Sequence, residues 1–325
     1  MTAIGISRAK YKNSEYLTSQ TYKPEETKLY HYTSLEAFIS MLSAYNDHKY
    51  IEFWPSHLLY SNDSEEYNNG LSLIEKQFIS SSTKFPSHVT EKFLKLLQLE
   101  TAVEKEAYIL CLSSIGDSLT QWKYYGNESG IAIQFNLNRN EVGFSGLSKD
   151  DDKNYSRPSN YPVGPYKVLY DAIEKESLIT NIIKNVYDAH KNINNPIEKE
   201  RLWIKDLKHL INLCPLLKNH FFEDEKEFRL IFRPCYQDNE EEEIPKLVYY
   251  RYKNGRNVPH MKIRLHLQSR NNDEILIKSI IVGPGHNQKI VINALKHLAA
   301  RRPNLIAPDT EDKETIGPSE IPFRD

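Results

Sequence analysis

Apolar positions along this chain switch between strand-like and helix-like spacing, and the first clear element opens at residue 28. There Leu-Tyr-His-Tyr-Thr-Ser has the aromatic and β-branched content of a strand. Thr33-x-x-Glu36 follows as a capping-box pattern, with Leu35, Phe38, Ile39 and Leu42 at helical spacing, so strand, cap and helix are predicted in immediate succession. Tyr50-Ile-Glu-Phe reads as a second strand halted by Pro55, and the polar run from Ser61 to Glu66 as a loop entering a helix. Residues 86 to 106 have helical character, and the apolar run from Ala107 to Ser113 predicts a buried strand. Ser118-x-x-Gln121 is another capping-box pattern, opening a short helix with Leu119, Trp122 and Tyr125 before Ile131-Ala-Ile-Gln-Phe135 returns as a strand.

Beyond it the pattern loosens. Glycines, prolines and a Lys-Asp-Asp-Asp-Lys run between 138 and 165 predict a long surface insertion, after which Val168-Leu-Tyr170 reads as a short strand. Helices are predicted at about 171–192 and 197–220, the second through Trp203, Leu207, Leu210, Ile211 and Leu217. Strands follow at 228–232, 247–252, 261–267 and 275–282, with a turn at Lys253-Asn-Gly255 and a helix at 287–300 after Gly283-Pro-Gly285. Residues 1–27 lack periodicity and are expected to form a flexible arm; from Arg302 a polar, proline-containing tail is expected to fray. Strands and helices do not alternate regularly, so the reading is one α+β domain over 28–301 with a helical insertion at about 171–220.

Composition narrows the partners more than the fold. With 39% hydrophobic and 26% charged residues, 21 Tyr and 12 Phe, the chain is that of a globular protein with an aromatic-rich core. A net charge of -2 removes the case for a globally basic nucleic-acid binder and leaves room for a local basic surface. Cys111, Cys214 and Cys235 are widely spaced and form no C-x-x-C pair, so reduced thiols are expected rather than a disulfide framework or a zinc site. No stretch resembles a signal peptide or a membrane span, which makes the cytoplasm the expected location and a membrane partner unexpected.

Three residue patterns could carry chemistry. The opening strand would present Leu29, His31 and Thr33 on one face and Lys28, Tyr30 and Tyr32 on the other. In Phe222-Glu-Asp-Glu-Lys-Glu-Phe-Arg-Leu-Ile-Phe232, strand alternation would align Glu225, Glu227 and Arg229 opposite an apolar face of Phe228, Leu230 and Phe232. Gln121, Trp122 and Tyr125, with Ser113 upstream, have the types that wall a pocket for a flat heterocycle. Each also has a plain structural reading: a hydrogen-bonded sheet histidine, a solvated charged edge, and core aromatics. Gly283-Pro-Gly285 is not a full phosphate-binding motif, and no metal-ligand spacing is present, so no metal is expected.

In order along the chain, the opening Leu-Tyr-His-Tyr-Thr-Ser, Ser-Asn-Asp-Ser-Glu at 61–65, Cys-Leu-Ser at 111–113, Gln-Trp-Lys-Tyr-Tyr-Gly at 121–126, Gly-Ile-Ala-Ile-Gln-Phe at 130–135, Glu-Lys-Glu-Phe-Arg at 225–229 and Ile-Ile-Val-Gly-Pro at 280–284 resemble the bacterial domain-of-unknown-function family 2971. The Tyr-His-Tyr-Thr opening followed by a capped helix also resembles the first motif of ADP-ribosyltransferase-like proteins. That resemblance implies a mixed or antiparallel sheet core of their type, NAD as substrate, and a His, Tyr and Glu triad. His31 would contact the nicotinamide-side ribose, Tyr125 or Tyr60 would stack on nicotinamide, and Glu225 or Glu227 would orient the ribose hydroxyl. Arg229 or a nearby Lys would engage the pyrophosphate, and Tyr32, Thr33, Ser113, Gln121 and Trp122 complete the expected NAD-binding set.

The expectation is therefore an NAD-dependent mono-ADP-ribosyltransferase, a toxin or phage-defence effector acting on a macromolecule, with nucleic acid favoured over protein and an antitoxin as a possible partner. Two other readings stand beside it. One is a non-catalytic nucleic-acid-binding module of a defence system. The other is a metal-dependent nuclease or hydrolase built on Glu225, Glu227 and Asp63.

Overall fold

The computed structural model describes residues 28–42, 50–61, 65–98, 107–126, 130–138, 142–147, 154–155, 164–233, 248–253, 255–267, 275–302, 305–310 and 314–322. The proposed arm 1–27, Asp63, Cys235 and most of 138–165 lie outside them. The fold is α+β, and the described residues divide into two compact units, one taking Leu58–Ala107 and Gly164–Glu223 and the other drawing on the remaining segments.

The first unit is mainly helical, with one short strand, β8 (Tyr166–Lys167). Its helices are α2 (Glu66–Ser81), α3 (Ser87–Gln98), α4 (Ala172–His190) and α5 (Pro196–Leu207), continued by a 3₁₀ stretch Lys208–Leu216. Helix α4 starts where the Asp171 carboxylate accepts the Glu174 amide at 2.8 Å. Helix α5 starts where the Asn195 side chain accepts two amides and Pro196 takes the first turn, whose amide needs no partner. Phe78, Phe85 and Phe93 interlock edge to face or tilted, and Tyr187 stacks on Trp203 at 5.9 Å. The predicted helix at 197–220 is thus two elements, and Pro215, which has no amide hydrogen to give an α-helix, falls in the 3₁₀ stretch.

The second unit holds two sheets. Strands β1 (Tyr30–Ser34), β3 (Ser56–His57), β4 (Tyr108–Ser113), β5 (Gly130–Phe135), β9 (Glu227–Phe232), β10 (Tyr249–Lys253), β11 (Arg256–His260), β13 (Ile277–Val282) and β14 (Ile316–Pro318) build the larger. The smaller has the order β2 (Tyr50–Phe53), β12 (Ile263–Leu267), β6 (Val142–Leu147) and β7 (Asn154–Tyr155). Strand pairs are antiparallel except β13 with β14. Phe53 meets Phe135 at 4.8 Å and Phe144 meets Phe232 at 6.0 Å, so the apolar faces of the two sheets form a common core.

One edge of β4 is shared. Tyr108 and Ile109 pair with β3, and Ser113 pairs with Tyr30 of β1, so the ladder parts between them. The other edge pairs continuously with β9 from Tyr108↔Phe232 to Ser113↔Glu227.

Several expectations change. Helix α1 (Leu35–Met41) is capped by Ser34, whose hydroxyl accepts the Ala37 amide at 3.1 Å, one residue later than the Thr33 pattern suggests. Ser118 makes no capping hydrogen bond, and the helix after it is only Leu119–Gln121, running into a π-helical turn Trp122–Gly126. Within the expected surface insertion, β6 is an interior strand whose Val142 and Ser145 are buried. The expected frayed tail contains β14, with Ile316 buried, because β13 has an apolar edge to cover.

Candidate functional site

The register of the larger sheet carries one row of polar side chains across five strands. Glu227 stands opposite Ser113, Ser113 opposite Tyr30, Tyr30 opposite Gln134, and Gln134 opposite Ser279. Directly paired residues of antiparallel strands share a face, so all five project the same way. Four inter-strand steps of about 4.8 Å give the row a span of roughly 19 Å. Where such polar groups are buried, each costs free energy unless it is bonded.

Most members are bonded to one another or to the loop above. The Ser279 hydroxyl donates to Gln134 Oε1 at 2.9 Å, and Tyr30 shares a hydrogen bond with Ser279. Burial pushes the Tyr30 and Tyr32 phenols above their ordinary pKa, so both stay protonated at neutral pH and act as donors. Ser113 Oγ donates to the Glu225 carbonyl at 2.8 Å and accepts the Ile115 amide at 3.2 Å.

At one end of the row, Arg229 grips Glu227 with two parallel bonds of 2.8 Å, Nε to Oε1 and Nη2 to Oε2. Both are buried, at 1% and 3% exposure. The solvated-edge reading of this strand is therefore replaced by a buried, oriented ion pair. Glu225 does not join it on the strand. Lys226 adopts a left-handed backbone with φ 44°, which ends the 3₁₀ turn His220–Glu225 and breaks the alternation that placed Glu225 beside Glu227. Glu225 contributes its carbonyl, which accepts from Ser113 Oγ and from Gln121 Nε2 at 3.3 Å.

The loop 114–126 lies over the same face. Tyr32 meets Trp122 edge-on at 4.7 Å, and its hydroxyl donates to the Ile115 carbonyl at 2.8 Å while accepting the Ser118 amide at 3.1 Å. Tyr30, Tyr125, Ile281 and Ile321 pack against this Tyr32–Trp122 cluster. Two glycines allow the approach: a Cβ at Gly116 would stand 2.7 Å from the Tyr30 ring, and one at Gly283 would stand 2.9 Å from the Trp122 ring. Asp117 anchors the loop by accepting Trp122 Nε1 and Ser319 Oγ at 2.6 Å each and the Glu320 amide at 2.7 Å.

His31 takes the opposite face. It pairs with Ile133 and packs between Phe53 at 6.4 Å and Phe135 at 6.4 Å, on the side that meets the smaller sheet. Its Nδ1 donates to the Cys111 carbonyl at 2.9 Å, at the place where the β4 ladder is parted. Thr33 shares that face by alternation. Tyr60 belongs to the helical unit, at the end of a 3₁₀ turn Leu58–Tyr60, and is exposed. The structure thus brings together Glu227, Arg229, Ser113, Gln121, Trp122, Tyr125 and Tyr32 in the second unit, and turns His31 and Thr33 to the opposite face of the sheet. Tyr30, Gln134, Ser279 and Asp117 are new members. The signal for two of them was visible as single polar residues interrupting Ile-Ala-Ile-Gln-Phe and Ile-Lys-Ser-Ile-Ile-Val.

Among the described residues, no group of three His, Cys, Asp or Glu side chains could hold a metal ion, and Cys111 and Cys214 are not in disulfides. No described helix is long and apolar enough to cross a membrane.

The stretch holding the loop aromatics and the Glu227–Arg229 pair also carries a family likeness. The family described as Protein of unknown function (DUF2971) matches residues 121–230. The similarity covers Gln121, Trp122, Tyr125, Gln134, Glu227 and Arg229, about a third of the chain. Among curated proteins and among solved structures, nothing matches.

Proposed function

We propose that this chain is an NAD-consuming ADP-ribosyltransferase that works on the Glu227 face of its larger sheet. The observation that carries the reading is the oriented carboxylate of Glu227 at the end of a row of hydroxyl and amide groups, with an aromatic cluster on the same face.

Cleavage of the bond between nicotinamide and ribose leaves positive charge on the sugar while the electron pair departs with neutral nicotinamide. The acceptor's oxygen or nitrogen then bonds to that carbon and releases its proton. A carboxylate fixed beside the sugar lowers the barrier because the charge it faces grows only in the transition state. Tyr30 and Gln134 would orient the sugar hydroxyls, and Tyr125 or Trp122 would hold the nicotinamide ring. His31 has a scaffolding role on this reading, since it faces the other sheet.

The test is release of labelled nicotinamide from NAD by the full chain, with and without cell lysate. Turnover is expected, lost in Glu227→Gln and reduced in Tyr30→Phe, with both variants retaining their circular dichroism. A wild-type chain that neither releases nicotinamide nor gives calorimetric heat with NAD overturns the proposal.

A further inference from the structure

Between residues 248 and 267 the chain carries Arg251, Lys253, Arg256, Lys262 and Arg264 and no Asp or Glu, inside a protein whose net charge is -2. The same stretch holds Tyr249, Tyr250 and Tyr252, so a basic run is interleaved with aromatic rings. It forms the hairpin β10–β11, and β10 ends the larger sheet among the described strands.

The hairpin is completed by Trp54, 38% exposed, which tilts against His260 at 4.9 Å. The Arg251 guanidinium lies 5.8 Å from the Trp54 ring, and Lys262 Nζ lies 5.8 Å from Trp54 and 4.6 Å from Tyr249. Arg251 donates from Nη2 to Ser56 Oγ at 2.7 Å, while its Nε is buried without a hydrogen-bond partner. Neither Arg251 nor Lys262 meets a carboxylate among the described residues. Glu52, two residues before Trp54, accepts the Trp54 indole N–H and pairs with Arg264 at 3.5 Å. Burial pushes the Arg251 pKa down, as expected for a guanidinium losing water without gaining an anion.

On the other face of β10, Tyr250 and Tyr252 stand two residues apart at 66% and 78% exposure. Charges on an edge strand also discourage pairing with other chains. That accounts for cations in water, and not for a guanidinium held between a serine and an indole with a buried donor unused.

We infer that the β10–β11 hairpin with Trp54 and Lys262 is a binding surface for single-stranded nucleic acid. Bases stack on the exposed rings, and the phosphates meet Arg251, Lys262 and Arg256. Stacking on aromatic rings and neutralisation of the backbone are the two ingredients of such sites, and both repeat along this edge as a polymer requires. The surface is built on β10 and β11, whereas the Glu227 row runs over β9, β4, β1, β5 and β13, so the inference does not depend on any chemistry there.

Fluorescence anisotropy of labelled 15-mers of deoxythymidine and of uridine, titrated with the full chain at low salt, tests this. Binding is expected to weaken as salt rises, in proportion to the phosphates neutralised. Trp54→Ala and Tyr252→Ala are each expected to weaken it by about tenfold, the scale of one lost stacking contact. Lys262→Glu is expected to weaken it further and to flatten the salt dependence. Tyr252 is surface-exposed, so its variant remains informative if Trp54→Ala folds poorly. Absence of binding, unchanged affinity in Tyr252→Ala and Lys262→Glu, or equal competition by base-free polyphosphate overturns the inference. Nicotinamide release without added lysate reads the Glu227 face separately, so the two proposals fail independently.

Discussion

Glu227 and Arg229 show how much one buried contact can decide. With 3% and 1% exposure and a two-point grip, the pair holds its charges only while both are present. Arg229→Met leaves a carboxylate buried without its partner, and the cost of such a half-pair is about 3–5 kcal/mol. Urea unfolding should therefore show a clearly lower midpoint for Arg229→Met, while adding Glu227→Leu should restore much of it; equal stability of wild type and Arg229→Met would mean water reaches the pair. His57 makes a second prediction. Burial, with Arg233 nearby, pushes its pKa from 6.5 down to about 4, so the unfolded chain binds the proton more readily than the folded one. Stability contributed at this site is present above about pH 6.5 and falls as pH drops toward 4, by at most about 3 kcal/mol from a shift of this size. The difference in unfolding free energy between wild type and His57→Gln, measured from pH 7 to 4, should shrink or reverse as pH falls. A difference independent of pH would show that His57 titrates normally. Pairing of Glu227 with Arg229 on one face was legible in the sequence, because period-two alternation needs only local pattern. Exclusion of Glu225 was not, because a lysine carries no signal for the left-handed backbone that Lys226 adopts.

Elements are specified by pattern where the pattern is strong, and by neighbours where it is not. Strands β1, β4, β5 and β13 and helices α4 and α6 (Gln288–Arg301) fall close to where their apolar spacing predicts them. The strand Arg256–His260 was not legible, since Pro259 and two charged or amide residues lower its strand character, and it forms because β3 and β10 flank it. The helix after Ser118 is cut short for a similar reason. Gln121 gives its amide to the Glu225 carbonyl instead of the helix start, and Trp122 turns down onto Tyr32. This packing depends on Gly283, whose absent Cβ leaves the Trp122 ring its place. Gly283→Ala would put carbon 2.9 Å from that ring and 3.1 Å from the Gly130 carbonyl oxygen, contacts that force a shift. Overpacking of this kind costs about 1–3 kcal/mol. A lower melting temperature with a changed near-ultraviolet aromatic signal is expected; an unchanged signal would mean the loop does not rest on Trp122.

Across the whole chain, the decisive contacts are those that join distant residues, and these were the least legible. Segment 314–322 has little strand character of its own, yet Ile316 is buried beside Ile280, and β14 pairs in parallel with β13. Past the strand, Ser319 Oγ and the Glu320 amide reach back about 200 residues to Asp117, which also holds the Trp122 indole. The C-terminal segment therefore fixes the loop that covers the polar row. Truncation after Thr310 would uncover the β13 edge, expose Ile316's share of the core and leave Asp117 with the indole alone. Losing one buried isoleucine at about 2 kcal/mol and two hydrogen bonds at about 1 kcal/mol each gives a destabilisation of about 4 kcal/mol. Hydrogen exchange should then rise in two places at once, along β13 and in the loop 114–126, with the amides of Ile115 and Ser118 losing protection. Faster exchange confined to β13 would show that the loop is held by Tyr32 and Trp122 without its anchor; in that case Asp117→Asn in the full chain should also leave the loop protected.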